Sequence, residues 1–146
     1  EKETLKCTVE HMWYNELSSE DQELVTIARR IRPCAKPHIS HYEVGVALRA
    51  TNGEIYTGVN VESDIFTATV HAEVHALITA KSDFATGIDT LAVVVKDQSY
   101  FPCGLCRQVL YEFDPSARII AASSNRDQVM VSTIEQLLPL GFRLQN

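Results

Sequence analysis

Long apolar runs, runs of basic residues and internal repeats are all missing from this sequence of 146 residues, and each absence removes a class of protein. The longest apolar stretches fall well short of the ~20 residues needed to span a bilayer. Lys and Arg occur singly or in pairs such as Arg29-Arg30, and the net charge is −6. A phosphate-backbone binder needs clustered positive charge, so no nucleic-acid partner is expected. The opening Glu1-Lys2-Glu3-Thr4 lacks the basic and apolar regions of a secretory leader. Gly and Pro number only six and five, which excludes collagen-like and low-complexity chains. Cysteine is scarce too: Cys7, Cys34, Cys103 and Cys106. The last two form Cys-x-x-Cys, which without an export signal favours metal or redox use in a reducing compartment over disulfides. A cytoplasmic location is the expectation.

What is present suits one domain over 1–146, with 1–17 set apart as an aperiodic extension whose Trp13 and Tyr14 could anchor it to the core. A helix begins after Ser18 or Ser19, with Ser19 and Gln22 resembling a capping box; it carries Leu24, Ile27, Ala28 and Ile31 inward and stops at Pro33. Tyr42–Ala50 alternates as a strand, Thr51-Asn52-Gly53 turns, and Glu54–Val61 returns. Thr69 caps a helix running to about Lys81. Leu91–Val95 is a continuous apolar run, as in a central strand covered on both faces. Phe101-Pro102-Cys103 opens a helix that ends by Pro115. Arg118–Ala122 and Gln128–Val131 are two more strands, and Thr133–Leu138 is a short closing helix. Five strands alternating with helices predict a layered α/β sheet with helices on both faces.

The chemistry is carried by His71-Ala72-Glu73 and Pro102-Cys103-Gly104-Leu105-Cys106. Catalytic zinc takes three imidazole, thiolate or carboxylate ligands and leaves one position open. Cys103 and Cys106 at a helix start can turn both sulfurs to one point, where helix N–H groups favour thiolates. His71 can supply the third ligand. Glu73, two residues on, can approach the open position, take a proton from water activated by the metal, and pass it to a ring nitrogen and leaving amine. Two other readings stay open: Cys-x-x-Cys also serves structural zinc half-sites and redox pairs. His75, four residues after His71, has a helical zinc spacing of its own, but the Cys pair already completes the set with His71, so His75 is read as a surface or packing residue.

His-x-Glu followed by Pro-Cys-x-x-Cys is the signature of zinc deaminases. From about Ser40 to Phe142 the chain resembles the cytidine deaminase family, including its blasticidin S deaminase branch. The resemblance implies a three-layer α/β/α fold with a mixed five-stranded sheet. It implies one zinc per chain on His71, Cys103 and Cys106, with Glu73 as catalytic acid and base. Tyr42 would wall the base, Asn60 and Glu62 would hold the sugar 3′-hydroxyl, and the Ala72 amide and Pro102 carbonyl would contact the base. Phe142 would enter a neighbouring subunit's site in a homotetramer. The implied substrate is a small cytosine nucleoside, with blasticidin S as the alternative and a non-catalytic zinc module as a third option.

Two departures from the small tetrameric members fit each other. Those members place Cys at the His71 position and Arg at Val74. His71 removes one negative charge from the ligand set, so no compensating Arg is needed. Ser63-Asp64-Ile65-Phe66 also differs from the family pattern where the sugar 5′ side is placed. The acidic Glu62 departs from the blasticidin branch.

Overall fold

Alternation of apolar residues makes each central strand feed both faces of one sheet. A computed structural model of the protein, describing residues 1–145, contains six strands. They are β1 (Glu10–Trp13), β2 (Gly45–Ala50), β3 (Ile55–Val59), β4 (Ile88–Val95), β5 (Arg118–Ser123) and β6 (Gln128–Thr133). Their order is β1-β6-β5-β4-β2-β3, with β4 and β5 parallel and the other neighbours antiparallel. Four helices accompany them: α1 (Ser19–Ile31), α2 (Ala72–Ser82), α3 (Gly104–Phe113) and α4 (Ile134–Leu137).

The two-residue period of the strands sorts the core into two layers. Ala47, Ala92, Val94, Ile120 and Ala122 face α1, where they meet Leu24, Val25 and Ala28. Their sequence neighbours Val46, Leu48, Leu91, Val93, Ile119 and Ala121 face the other way, onto Ala76 and Ala80 of α2, Leu110 of α3 and Ile134 of α4. The expected three-layer arrangement is therefore present. None of the described helices is long and apolar enough to cross a membrane.

The sheet has six strands, not five. The extra one, β1, pairs antiparallel with β6 from Glu10↔Val131 to Trp13↔Gln128. Three of its four residues are exposed and only Met12 is half-buried, so an edge strand wetted on both faces leaves no alternation to read. The segment is tied further by Ser132 Oγ donating to the Thr8 carbonyl (2.7 Å) and by Tyr14 N donating to Asp127 O (2.6 Å). Trp13 is exposed, so it does not anchor the segment. Tyr14 does, with Arg29 stacked 4.8 Å from its ring centroid, and Leu17 is the residue that enters the core.

Helix starts shift by small amounts. Of the two expected starts, after Ser18 or after Ser19, the first is observed: Ser18 caps α1, its hydroxyl accepting from Asp21 N at 3.2 Å. His71, not Thr69, is the cap residue of α2; Thr69 instead accepts from Ser63 N through its hydroxyl. The Asn52-Gly53 turn forms as expected, with Gly53 at φ 89°.

Away from the site, Asp21 of α1 is 4% exposed and joins the helix to the sheet. Its two oxygens accept from Arg49 of β2 (2.9 Å) and Arg118 of β5 (2.7 Å). Burial alone would raise its pKa, but the two guanidinium hydrogen bonds and charges outweigh it, and the carboxyl is held below the ordinary aspartate range. A depressed folded-state pKa contributes stability above the unfolded value of ~3.9, which is lost as pH falls through the folded value. Asp21→Asn should therefore cost about 2–4 kcal/mol at pH 7 in urea unfolding, with the gap to wild type closing below about pH 4. An equal gap at pH 3 and pH 7 would contradict the ion-pair origin.

Candidate active site

Two helix N-termini converge at the carboxyl end of β4. His71 immediately precedes α2 and Cys103 immediately precedes α3, both with extended backbone angles. Close packing brings α2 to this place. A Cβ on Gly58 of β3 would lie 2.2 Å from the Ala72 carbonyl oxygen and 2.4 Å from Ala76 N. Only glycine allows the first turn of α2 to rest on the strand backbone at that distance.

The result is a cluster of His71 Nδ1, Cys103 Sγ and Cys106 Sγ, all within 4.8 Å of one another. His71 Nδ1 lies 3.4 Å from the Cys103 sulfur and 3.3 Å from that of Cys106. Zinc bonds of roughly 2.0 Å to nitrogen and 2.3 Å to sulfur at tetrahedral angles require ~3.5 Å between such atoms, so the donor set fits a zinc ion in kind and in spacing. Burial, reinforced by the charges of Glu73 and Cys103, pushes the Cys106 thiol above its ordinary range.

Glu73 is the second residue of α2 and is 6% exposed. The Cys106 thiol donates to its Oε2 at 3.4 Å. Burial raises its pKa, opposed by its own backbone N–H, by Cys106 and by His71. His75 lies outside the cluster: its Nδ1 faces the Val59 backbone, 3.0 Å from the carbonyl oxygen. Cys34 and Cys7 are exposed elsewhere.

A cavity of about 500 Å³ opens beside the cluster. Tyr42, Asn60, Glu62, His71, Ala72, Glu73 and Cys103 all line it, so most residues singled out in the sequence meet here. Ala72 is the first residue of α2, and its N–H has no acceptor within the helix. Asn60 and Glu62 first of all hold the chain that walls the cavity. Asn60 Oδ1 accepts from Val44 N and its Nδ2 donates to Tyr42 O, both at 2.8 Å. Glu62 Oε1 accepts from the backbone N–H groups of Ile39 and Ser40, both at 2.9 Å. Bonds to Ser40 and Ile39 keep its carboxyl below the ordinary range. His38 Nε2 meets Asp64 Oδ1 at 2.7 Å on the same rim.

Two expected residues are not in the cavity wall. The Pro102 carbonyl accepts from Arg107 Nε at 2.7 Å, and Pro102 is buried behind the lining. Phe142 is 64% exposed, and its carbonyl accepts from Gln108 Nε2 at 2.8 Å. Conversely, Val93, Val95, Tyr100 and Phe101 line the cavity without having been singled out. Their signal lay in the topology: β4 is a parallel strand, and crevices in open α/β sheets form at strand carboxyl ends.

Comparison with known proteins places these features in context. Residues 18–123 match the family described as the cytidine and deoxycytidylate deaminase zinc-binding region. A cytidine deaminase of Sporosarcina psychrophila is 33% identical over 122 residues, covering 83% of this chain and 90% of that protein. A blasticidin-S deaminase of Bacillus cereus is 30% identical over 135 residues, covering 86% and 94%. The crystal structure of cytidine deaminase from Burkholderia pseudomallei aligns with a TM-score of 0.79 at 29% identity, covering 86% of this chain and all of that one.

Metal analysis of purified protein should give about one zinc per chain, and Cys103→Ser should lose it. Because the ion would join two helix starts, the variant should also melt several degrees lower, and a chelator should move wild type toward the same value. Full zinc content in Cys103→Ser would remove that sulfur from the ligand set.

Proposed function

The chain belongs to the cytidine and deoxycytidylate deaminase family and is a hydrolytic deaminase, and on that premise we propose that it converts cytidine or deoxycytidine to the uridine form with release of ammonia. One observation carries the reading. The buried carboxyl of Glu73 lies 3.4 Å from the Cys106 sulfur yet stands outside the ligand set. A structural metal site has no use for such a group.

Zinc held by His71, Cys103 and Cys106 supplies, when bound, the Lewis acidity that makes water a nucleophile near neutral pH. The chain's own residues carry the rest. A water oxygen bonds to C4 of the base while Glu73 takes one of its protons and passes it to ring N3, which leaves C4 tetrahedral with a hydroxyl and the amine. Glu73 then moves the hydroxyl proton to the amine; the C4–N bond breaks as the C4 carbonyl forms, ammonia departs and N3 keeps its proton. Its desolvation suits this exchange, because burial raises the pKa of the carboxyl and so favours its holding a proton between the two transfers. The Ala72 N–H donates to the base carbonyl at C2, and Tyr42 and Val44 bound the ring. Asn60 and Glu62 meet the sugar 3′-hydroxyl with the lone pairs and N–H left over from their backbone bonds. Metal-ligating thiols support a reducing, cytoplasmic setting.

Blasticidin S is the second reading, favoured by the 30% identity to a blasticidin-S deaminase along 86% of this chain. Ammonia release from cytidine, deoxycytidine, cytosine, blasticidin S and adenosine decides between the two. On the preferred nucleoside, Glu73→Gln should keep its zinc and its melting temperature while losing roughly 10²–10⁴-fold or more in kcat. A variant that keeps a substantial share of wild-type kcat would take Glu73 out of the chemistry.

The assembly we infer is a homotetramer with shared active sites, supported by the C-terminal segment. Gln108 holds the Phe142 carbonyl, and Gly141 lies so close to the Tyr111 ring that a Cβ would approach within 2.9 Å. The backbone is thus fastened to α3 while Leu140, Phe142 and Leu144, two apart, are 84%, 64% and 74% exposed. Alternate apolar side chains on a pinned backbone fit a neighbouring copy. Light scattering should find about four chains per particle, and truncation before Leu140 should cut activity at least about tenfold while zinc content stays near one. A fully active truncated monomer would end the composite-site reading.

A further inference from the structure

Two cavities meet at one wall beside the site. The cavity of about 500 Å³ and a second of about 640 Å³ are both lined by Tyr42, Val95 and Tyr100. The second is polar. Arg32 reaches it paired with Glu43 at 2.5 Å, Asp97 accepts from Asn125, and Lys96 and Gln98 add hydrogen-bonding groups. Val95 ends β4 and is 4% exposed, whereas Tyr100, on the segment leading to α3, is 54% exposed. The Tyr100 hydroxyl donates to Gln98 Oε1, so the outer end of its ring is held by a side chain of the second cavity.

Cytosine chemistry says which edge of the base meets this wall. On the reading above, C4 lies at the His71, Cys103 and Cys106 end and N3 faces Glu73. N3 and C5 flank C4 on opposite sides of the ring. Glu73 and Ala72 both belong to α2, so the C5 edge turns toward the opposite wall, built by β4 and the segment after it. Val95 at the end of β4 and Tyr100 on that following segment line the cavity, and both also line the polar one.

We propose that Tyr100 determines which substituents at pyrimidine C5 are accepted, its ring closing the catalytic cavity off from a second, polar cavity large enough for a hydroxymethyl group. The role rests on the assignment of a cytosine nucleoside as substrate. It is a selectivity role: the ring takes no proton and touches no reacting bond. With the ring in place a C5 substituent meets aromatic carbon; with it shortened, the same substituent reaches donors and acceptors from Lys96, Asp97 and Gln98.

The test compares zinc-loaded wild type, Tyr100→Ala and Tyr100→Phe on 2′-deoxycytidine and 5-hydroxymethyl-2′-deoxycytidine. The readout is the ratio of the two kcat/KM values. A second readout is calorimetric affinity for the corresponding products, 2′-deoxyuridine and 5-hydroxymethyl-2′-deoxyuridine. Wild type should favour the unsubstituted substrate by about tenfold or more, and Tyr100→Ala should erase that preference, chiefly through KM of the hydroxymethyl substrate. Tyr100→Phe, which keeps the ring, should stay within about threefold of the wild-type ratio. Product affinities should shift in the same sense. An unchanged ratio in Tyr100→Ala, or an equal change on both substrates, overturns the role of Tyr100. Turnover of neither nucleoside by wild type would instead overturn the substrate assignment beneath it.

Discussion

Everything at the site depends on two helices starting at one point. The N-termini of α2 and α3 carry uncompensated N–H groups and the positive ends of their dipoles, and between them lie two thiols, an imidazole and a buried carboxyl. Such a donor set is one that a divalent ion would hold together, which would couple metal binding to the stability of the α2–α3 junction. The Gly58 contact matters for the same reason: a side chain there would push α2 away from β3 and carry His71 and Glu73 with it.

The other half of the cavity is held by a clasp between two irregular segments. Asn60, Glu62 and the His38–Asp64 pair fasten residues 36–44 to residues 60–64, and Lys36 and Val61 share a bridge between the same segments. Within the first segment His41 takes a left-handed φ of 58°, and Tyr42 follows it into the cavity wall. Side chains assigned to a sugar hydroxyl thus also shape the wall. Removing Asn60 would loosen Tyr42 as well as any ligand contact, so its loss would mix stability with recognition.

Substrate range is then a matter of walls more than of chemistry. On the proposed reading the ligand cluster and Glu73 would fix where C4 lies, whichever cytosine compound enters, and the Glu62 carboxylate and the Tyr100 partition would decide what may be attached to the ring. Ile65 and Phe66 are 70% and 74% exposed, as are other apolar residues of the C-terminal segment, so in this single chain the rim is open. Neighbouring copies covering it would exclude water and strengthen the electrostatics within.

The sequence by itself determined the family, the residues that meet at the candidate site and the periodic framework. His71, Glu73, Cys103 and Cys106 were legible because metal ligation demands particular residue types at short spacings, and both motifs begin helices. The strands β2 to β6 and the helices α1 to α3 were legible because each buries one periodic face. What has no period was not legible. β1 is wetted on both faces and is a strand only because β6 offers it a free edge. The starts of α2 and β2 fell up to three residues from expectation, since long-range contacts at Gly58, Asn60 and Thr69 end those elements where local signals would extend them. The tertiary structure alone decided that Pro102 gives its carbonyl to Arg107, that Phe142 stands outside its own cavity, and that Val95 and Tyr100 form a wall. These are encounters between residues far apart in the chain, set by how a parallel β4–β5 pair and its crossover helix close around a crevice, and short-range pattern carries no record of them.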